Sequence, residues 1–252
     1  MRRAKAIVGL AAAILLTAAV PAGADILPVG AWSFNEGKGT IAHDYSGHRN
    51  EGLLEGLAQW APGRFQGAVS FNGNAAAVEV PNSTSLQPAA ISVSAWVKAG
   101  SSPGDFKYIV AKGAEGCLAA SYGLYTGANG GLEFYVASNT GLSWTISPDA
   151  GTGVWNGQWH NVVGTYNGSS VKLYVDGREV GSGTADTAPI AYGLFTSNNL
   201  LIGDYAGCSG TDFSGSIDEV KVFDRALSPF EIGTGYGLSH LLPSGFPLDL
   251  IL

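Results

Sequence analysis

The stretch "FSGSIDEV", residues 213–220, sets two carboxylates, Asp218 and Glu219, side by side among apolar neighbours. Paired acids equip a glycoside hydrolase, whereas a single acid is a common calcium ligand. Read as a strand, Ile217 to Phe223 sends neighbouring side chains to opposite faces. Two such acids cannot converge on one glycosidic bond, which needs carboxyls about 5–5.5 Å apart for retention or about 6.5–9.5 Å for inversion. Alternation groups Ser216, Asp218 and Val220 on one face and Ile217, Glu219 and Lys221 on the other, unless a bulge shifts the phase. Glu219 is therefore expected to face solvent.

Other reactive side chains are sparse. His160 stands in a strand-like run with no Ser or Cys nucleophile beside it, which fits a hydrogen-bonded structural residue. His43 and His48 flank Asp44 in the Gly-containing stretch "AHDYSGHRNEG", where solvent exposure is expected over a metal site. No G-x-S-x-G, H-E-x-x-H or phosphate-loop pattern occurs. Aromatic residues are more promising. Trp144, Trp155 and Trp159, with Tyr122, Tyr125 and Tyr205, offer ring faces on which a sugar could stack, and Trp144, Trp155 and Tyr205 are the expected ligand contacts. The alternative is that they only cover the edge of the fold. Trp32 and Trp96 lie in strands and are expected to fill the core.

The elements that must position these residues are strands. "ISVSAWVKA" (91–99) alternates Ile91, Val93, Ala95 and Val97 against Ser92, Ser94, Trp96 and Lys98, the period of a half-buried strand. In "QWHNVVGTYNGSSVKLYVDGREVGSG" (158–183), Trp159–Tyr166, Val171–Val175 and Arg178–Val180 read as successive strands. Asn167-Gly168 and Asp176-Gly177 supply the positive φ of tight turns between them. One helix is expected at "SPFE" (228–231): Ser228 as N-cap, Pro229 in the first turn, Glu231 as the reciprocal capping partner. Gly233, Gly235 and Gly237 should keep it short. About a dozen short strands without alternating helices predict an all-β fold of two antiparallel sheets, a sandwich or jelly roll.

The N-terminus reads as a secretory signal. Residues 1–24 hold Arg2, Arg3 and Lys5, an apolar run from Ala6 to Val20, and Ala22-Gly23-Ala24 before the expected cleavage. That run falls short of the ~20 residues that span a bilayer, and Asp25, not Cys, follows it. Without the signal, 228 residues remain and the formal charge moves from −7 to −10. Nucleic acid is a poor partner for such a chain, because phosphate contacts need clustered Lys and Arg. Cys117 and Cys208 lie in the exported portion, where one disulfide is expected, with free thiols or a metal site as the alternatives.

Five stretches in register carry a resemblance: "WSFNEGKGTIAHDYSGHRNEGLL" (32–54), "GRFQGAVSFNG" (63–73), "ISVSAWVKA" (91–99), "WHNVVGTYNGSSVKLYVDGREV" (159–180) and "FSGSIDEVKVFDRALSPFEI" (213–232). Together they resemble the laminin-G-like jelly-roll domains of the concanavalin A-like lectin/glucanase superfamily, in its pentraxin-related branch. The resemblance implies a two-sheet sandwich that binds glycans, proteins or calcium, often attached to secreted hydrolases. It also implies a Cys pair at the positions of Cys117 and Cys208. Related glucanases carry an alternating acid set on their catalytic strand, and Ser216 and Val220 break that pattern here. A structural calcium is a further implication, with Asp44 and Asp218 as metal ligands; against it stands a plain turn at Asp44 with Ser46 and Gly47.

The organisation that follows is a signal (1–24), one laminin-G-like domain (25–237) and an apolar tail (238–252) broken by Pro243 and Pro247. The expected function is a secreted, non-catalytic module for a glycan or an extracellular protein, without a membrane span. A glycoside hydrolase or lyase of the same superfamily is the alternative, and a purely structural surface protein the third.

Overall fold

A computed structural model describes residues 27–138, 142–194 and 196–241. The signal segment and residues 242–252 of the apolar tail lie outside the described residues. The first part of the chain supplies β1 (Gly30–Trp32), β2 (Ile41–Ala42), β3 (Gly52–Gly56), β4 (Gln59–Phe65), β5 (Gly67–Asn72), β6 (Ala76–Val80) and β7 (Ile91–Lys98). The middle adds β8 (Tyr108–Ala114), β9 (Tyr122–Thr126), β10 (Leu132–Ser138) and β11 (Ser143–Ile146). Then come β12 (His160–Tyr166), β13 (Ser170–Val175), β14 (Arg178–Glu179), β15 (Thr184–Ala185), β16 (Ser197–Ile202), β17 (Ser214–Phe223) and the helix α1 (Pro229–Leu241).

The strands form two antiparallel sheets. One has nine strands in the order β14-β13-β12-β7-β17-β5-β4, with β1 on β17 and β15 on β13. The other has eight, in the order β11-β10-β9-β8-β16-β6-β3-β2. The fold is thus an all-β sandwich of the jelly-roll kind. Its core is the alternate residues of both inner faces: Val93, Ala95 and Val97 from β7, Leu124 from β9, Phe134 from β10 and Ile202 from β16, all fully buried. The hairpin expected at Asp176-Gly177 is present, with φ of 50° and 75° at its two corner residues, as a two-residue turn of mirror-image type requires.

Two expectations about elements are corrected. The helix does not stop at its glycines but runs on to Leu241, past the expected start of the tail at residue 238. Packing supplies what propensity withholds: Ile232 is buried against Val163 and Tyr174, and Tyr236 stacks on Trp96 with ring centroids 6.1 Å apart. Its start follows the sequence signal, since Ser228 N–H and Oγ both donate to Glu231 Oε2, at 2.8 and 2.7 Å. Trp96 is buried, but on the outer face of the nine-stranded sheet beneath α1, not in the central core, whereas Trp32 is a core residue.

The second correction concerns β17. Asp218 pairs with Trp96 and Lys221 with Ser94, so Glu219 and Val220 together oppose Ala95. That is a β-bulge, and Glu219 adopts φ of 50° within it. The extra residue shifts the phase of the strand: Ile217, Val220 and Val222 all enter the core. Glu219 is only 7% exposed, contrary to the alternating reading, and Lys221 Nζ lies 3.5 Å from its carboxylate.

Candidate functional site

The outer face of the eight-stranded sheet carries a cleft of about 200 Å³. Its floor is Tyr108 from β8, Tyr125 from β9 and Tyr135 from β10, each buried at its base by the others. Tyr125 and Tyr135 meet edge to face at 4.9 Å between centroids, and the Tyr108 and Tyr135 hydroxyls lie 3.2 Å apart. These side chains share a face because "LEFYVAS" alternates Leu132, Phe134 and Val136 inward against Glu133, Tyr135 and Ala137 outward. Gly123 makes room for them. A Cβ there would sit 2.6 Å from the Tyr135 ring, which instead lies across the neighbouring strand, its hydroxyl accepting the Ala120 N–H at 2.7 Å.

The rim is exposed and apolar. Phe106 is 49% exposed, Leu118 52% and Trp144 45%, and Asn129 and Glu133 contribute the polar groups. Glu133 stands directly across from Tyr125. Burial pushes the Glu133 carboxyl above its usual range and the nearby Asp149 charge adds to this, while the Tyr125 hydroxyl opposes it. Burial likewise raises the hydroxyls of Tyr108, Tyr125 and Tyr135, so the floor is neutral at ordinary pH. Aromatic walls with a few fixed polar groups form the chemistry of a small-ligand or sugar site.

Of the three expected ligand contacts, only Trp144 reaches this cleft. Trp155 is a core residue, 4% exposed, with its indole N–H donating to the Gly130 carbonyl at 2.8 Å. Tyr205 is 3% exposed and stands behind the cleft, its ring stacked on Tyr108. Both aromatics do structural work that composition cannot separate from ligand stacking. Phe106, Tyr108, Tyr135 and Glu133 were not foreseen; the outward phase of β10, read alone, would have pointed to the last two.

The Cys117–Cys208 disulfide is formed, with Cα atoms 4.9 Å apart. It ties the β8–β9 connection, which carries Leu118, to the β16–β17 connection, which carries Tyr205. The buried Tyr205 hydroxyl reinforces the tie by lying 2.7 Å from the Gly116 carbonyl and 3.1 Å from that of Ala119.

Asp218 and Glu219 lie on the other, nine-stranded sheet. Asp218 is fully buried on its outer face; Oδ2 accepts the Phe65 N–H at 2.9 Å, and Oδ1 has no hydrogen-bond partner among the described residues. Desolvation, then the Glu219 charge, hold its carboxyl well above the usual range. The Arg64 guanidinium lies over the Phe65 and Trp96 rings and donates to the Ser239 carbonyl, closing this region beneath α1.

Asp44 has separate partners. Its Oδ1 accepts N–H groups from Ala31 and Ser46, and its Oδ2 accepts the Ser46 hydroxyl and the Asn50 N–H, all at 2.8–2.9 Å. Four donors fill the lone-pair sites of one carboxylate, so Asp44 clamps this turn onto β1. Among the described residues no group of three or more His, Cys, Asp or Glu side chains is arranged to hold a metal ion. His160 is likewise a fastener: Nδ1 lies 2.7 Å from Asp176 Oδ2 at the hairpin turn, and Nε2 lies 3.2 Å from Asn156 Oδ1. Among the described residues no helix is long and apolar enough to cross a membrane.

The sandwich is shared with solved structures. Domain 4 of AbnA, a GH43 extracellular arabinanase from Geobacillus stearothermophilus solved with arabinotriose, is similar over 82% of this chain and 97% of that one, at 19% identity and a TM-score of 0.59. The binding domain of botulinum neurotoxin DC, solved with rat synaptotagmin II, is similar over 84% of this chain and 51% of its own length, at 15% identity and a TM-score of 0.64. A Trypanosoma rangeli sialidase in complex with sialic acid is similar over 84% of this chain and 33% of its own, at 20% identity and a TM-score of 0.62. At such identities the likeness is one of fold. No curated protein sequence matches the chain. A family model described as the concanavalin A-like lectin/glucanases superfamily matches residues 72–233, well over half of the chain. The two antiparallel sheets, the order of their strands and this match agree: the chain belongs to the concanavalin A-like lectin/glucanase superfamily.

Proposed function

We propose that this protein is an exported, non-catalytic module that binds a glycan in the aromatic cleft on the outer face of the eight-stranded sheet. The observation that carries the reading is Trp144. Nearly half of this large ring is exposed, beside an aromatic floor already fixed by packing and hydrogen bonds. An exposed indole next to a few polar groups suits the apolar face and hydroxyl edge of a sugar. The disulfide supports an oxidising destination, in keeping with the signal-like residues 1–24. Non-catalytic action is supported by the cleft lining, which offers one carboxylate where glycoside hydrolysis uses two. The two acids of β17 are buried and lie on the other sheet, away from the cleft.

Titration calorimetry against a panel of oligosaccharides tests the reading. Wild type should bind at least one member without hydrolysing it, and Trp144→Ala should weaken that binding about tenfold or more with the fold intact. Equal affinity in Trp144→Ala, or turnover of any bound sugar, would sink it.

A further inference from the structure

Among the described residues that line the cleft, Glu133 is the only charged side chain. It is not a loose surface acid. Tyr125 faces it across the β9–β10 ladder. Its oxygens lie over Gly127, where a Cβ would come within 2.4 Å of them. Asp149 adds a second negative charge close enough to disturb Glu133. Its own carboxylate is held by the Gly151 N–H at 2.6 Å. Among the described residues, no Lys or Arg lines the cleft to offset either acid.

Resting on the glycan reading above, we infer that Glu133 sets the charge class of the ligand: the cleft takes amine-bearing and neutral sugars and rejects sugar acids. A sugar carboxylate seated on Trp144 would face Glu133 with no compensating cation, and like charges at an interface oppose binding. A sugar ammonium in the same place gains a charge-assisted hydrogen bond to Glu133 and the favourable faces of the surrounding rings. A neutral sugar gains an ordinary hydroxyl–carboxylate bond and falls between the two.

The test uses three oligosaccharides of matched length: a chitosan oligomer, a cello-oligosaccharide and an oligogalacturonate, titrated at one pH and ionic strength. Wild type should bind the chitosan oligomer about tenfold more tightly than the cello-oligosaccharide, and the oligogalacturonate at least tenfold more weakly. Glu133→Gln, which keeps the shape of the side chain, should bring all three within about threefold. Two results would overturn the inference while leaving the glycan reading standing: equal binding of oligogalacturonate by wild type, or a preference that survives Glu133→Gln and so belongs to the overall negative charge. If none of the three sugars binds, and a wider panel also fails, the glycan reading itself falls and this inference falls with it.

Discussion

The ring of Tyr205 stacks on that of Tyr108, with centroids 4.6 Å apart and planes 17° from parallel. Tyr108 belongs to the floor of the cleft, whereas Tyr205 sits in the connection anchored by Cys208. A covalent bond and a stacked pair therefore brace the same wall from behind.

Trp144 and Trp155 should behave in opposite ways. Trp144→Ala removes an exposed ring, so its unfolding free energy should stay within about 0.5 kcal/mol of wild type. Trp155→Ala opens a cavity in the core and should cost about 3–5 kcal/mol. Urea unfolding of both variants checks this, and equal losses would contradict the placement of the two rings.

Breaking the disulfide should destabilise the whole domain. A sequence separation of 91 corresponds to about 4–5 kcal/mol in the chain-entropy account of cross-links. Thermal melts of the Cys117→Ser, Cys208→Ser double variant should show a midpoint well below wild type. Hydrogen exchange should rise first around Leu118 and Tyr205, because these lie in the two tied connections.

Gly123→Ala should disturb the cleft without touching its rim. The added methyl would sit 2.6 Å from the Tyr135 ring, so that ring must tilt and lose its contact with Tyr108. A loss of about 1–3 kcal/mol is expected from overpacking, together with weaker ligand binding. A variant as stable as wild type, with unchanged near-ultraviolet tyrosine dichroism, would refute the close approach.

Lys112 gives a pH signature. It is 1% exposed, and its Nζ donates to Asn82 Oδ1 at 2.7 Å and to the Asn198 carbonyl. Burial lowers its pKa from 10.5 to about 8. The folded protein therefore releases this proton before the unfolded chain does. Stability should rise with pH from about 8 towards 10, by at most about 1.4 kcal/mol per pH unit. Lys112→Met should remove that slope in denaturant titrations at stepped pH.

Asp218 has the opposite slope. Its carboxyl is held above the ordinary 3.8 by burial and by Glu219, so the folded state keeps the proton to higher pH than the unfolded chain. Stability should fall as pH climbs from about 4 through that raised value. Asp218→Asn retains an oxygen for the Phe65 N–H and cannot ionise. Its melting midpoint relative to wild type should therefore increase over the same interval, and a constant difference would show that Asp218 does not titrate there.

The sequence by itself determined the architecture, because the period-2 patterns and turn residues are local instructions. Val93, Ala95 and Val97 had to share one face of a strand, Asp176-Gly177 had to turn, and Ser228 with Glu231 had to start a helix. Two cysteines allow one intramolecular disulfide, and the fold decided between that bridge and free thiols by bringing Cys117 and Cys208 together. Tertiary structure decided what local pattern could not. The bulge at Glu219 lies where the partner of β17 changes from β5 to β1, and it turned an expected solvent-facing acid inward. The helix crossed three glycines because a sheet face with Trp96 and Val163 awaited it. Trp144, Trp155 and Tyr205 look alike as a composition, yet one is exposed at a cleft, one fills the core and one braces a wall. Their difference rests on which residues lie opposite them in the fold, and those partners are far away in the chain.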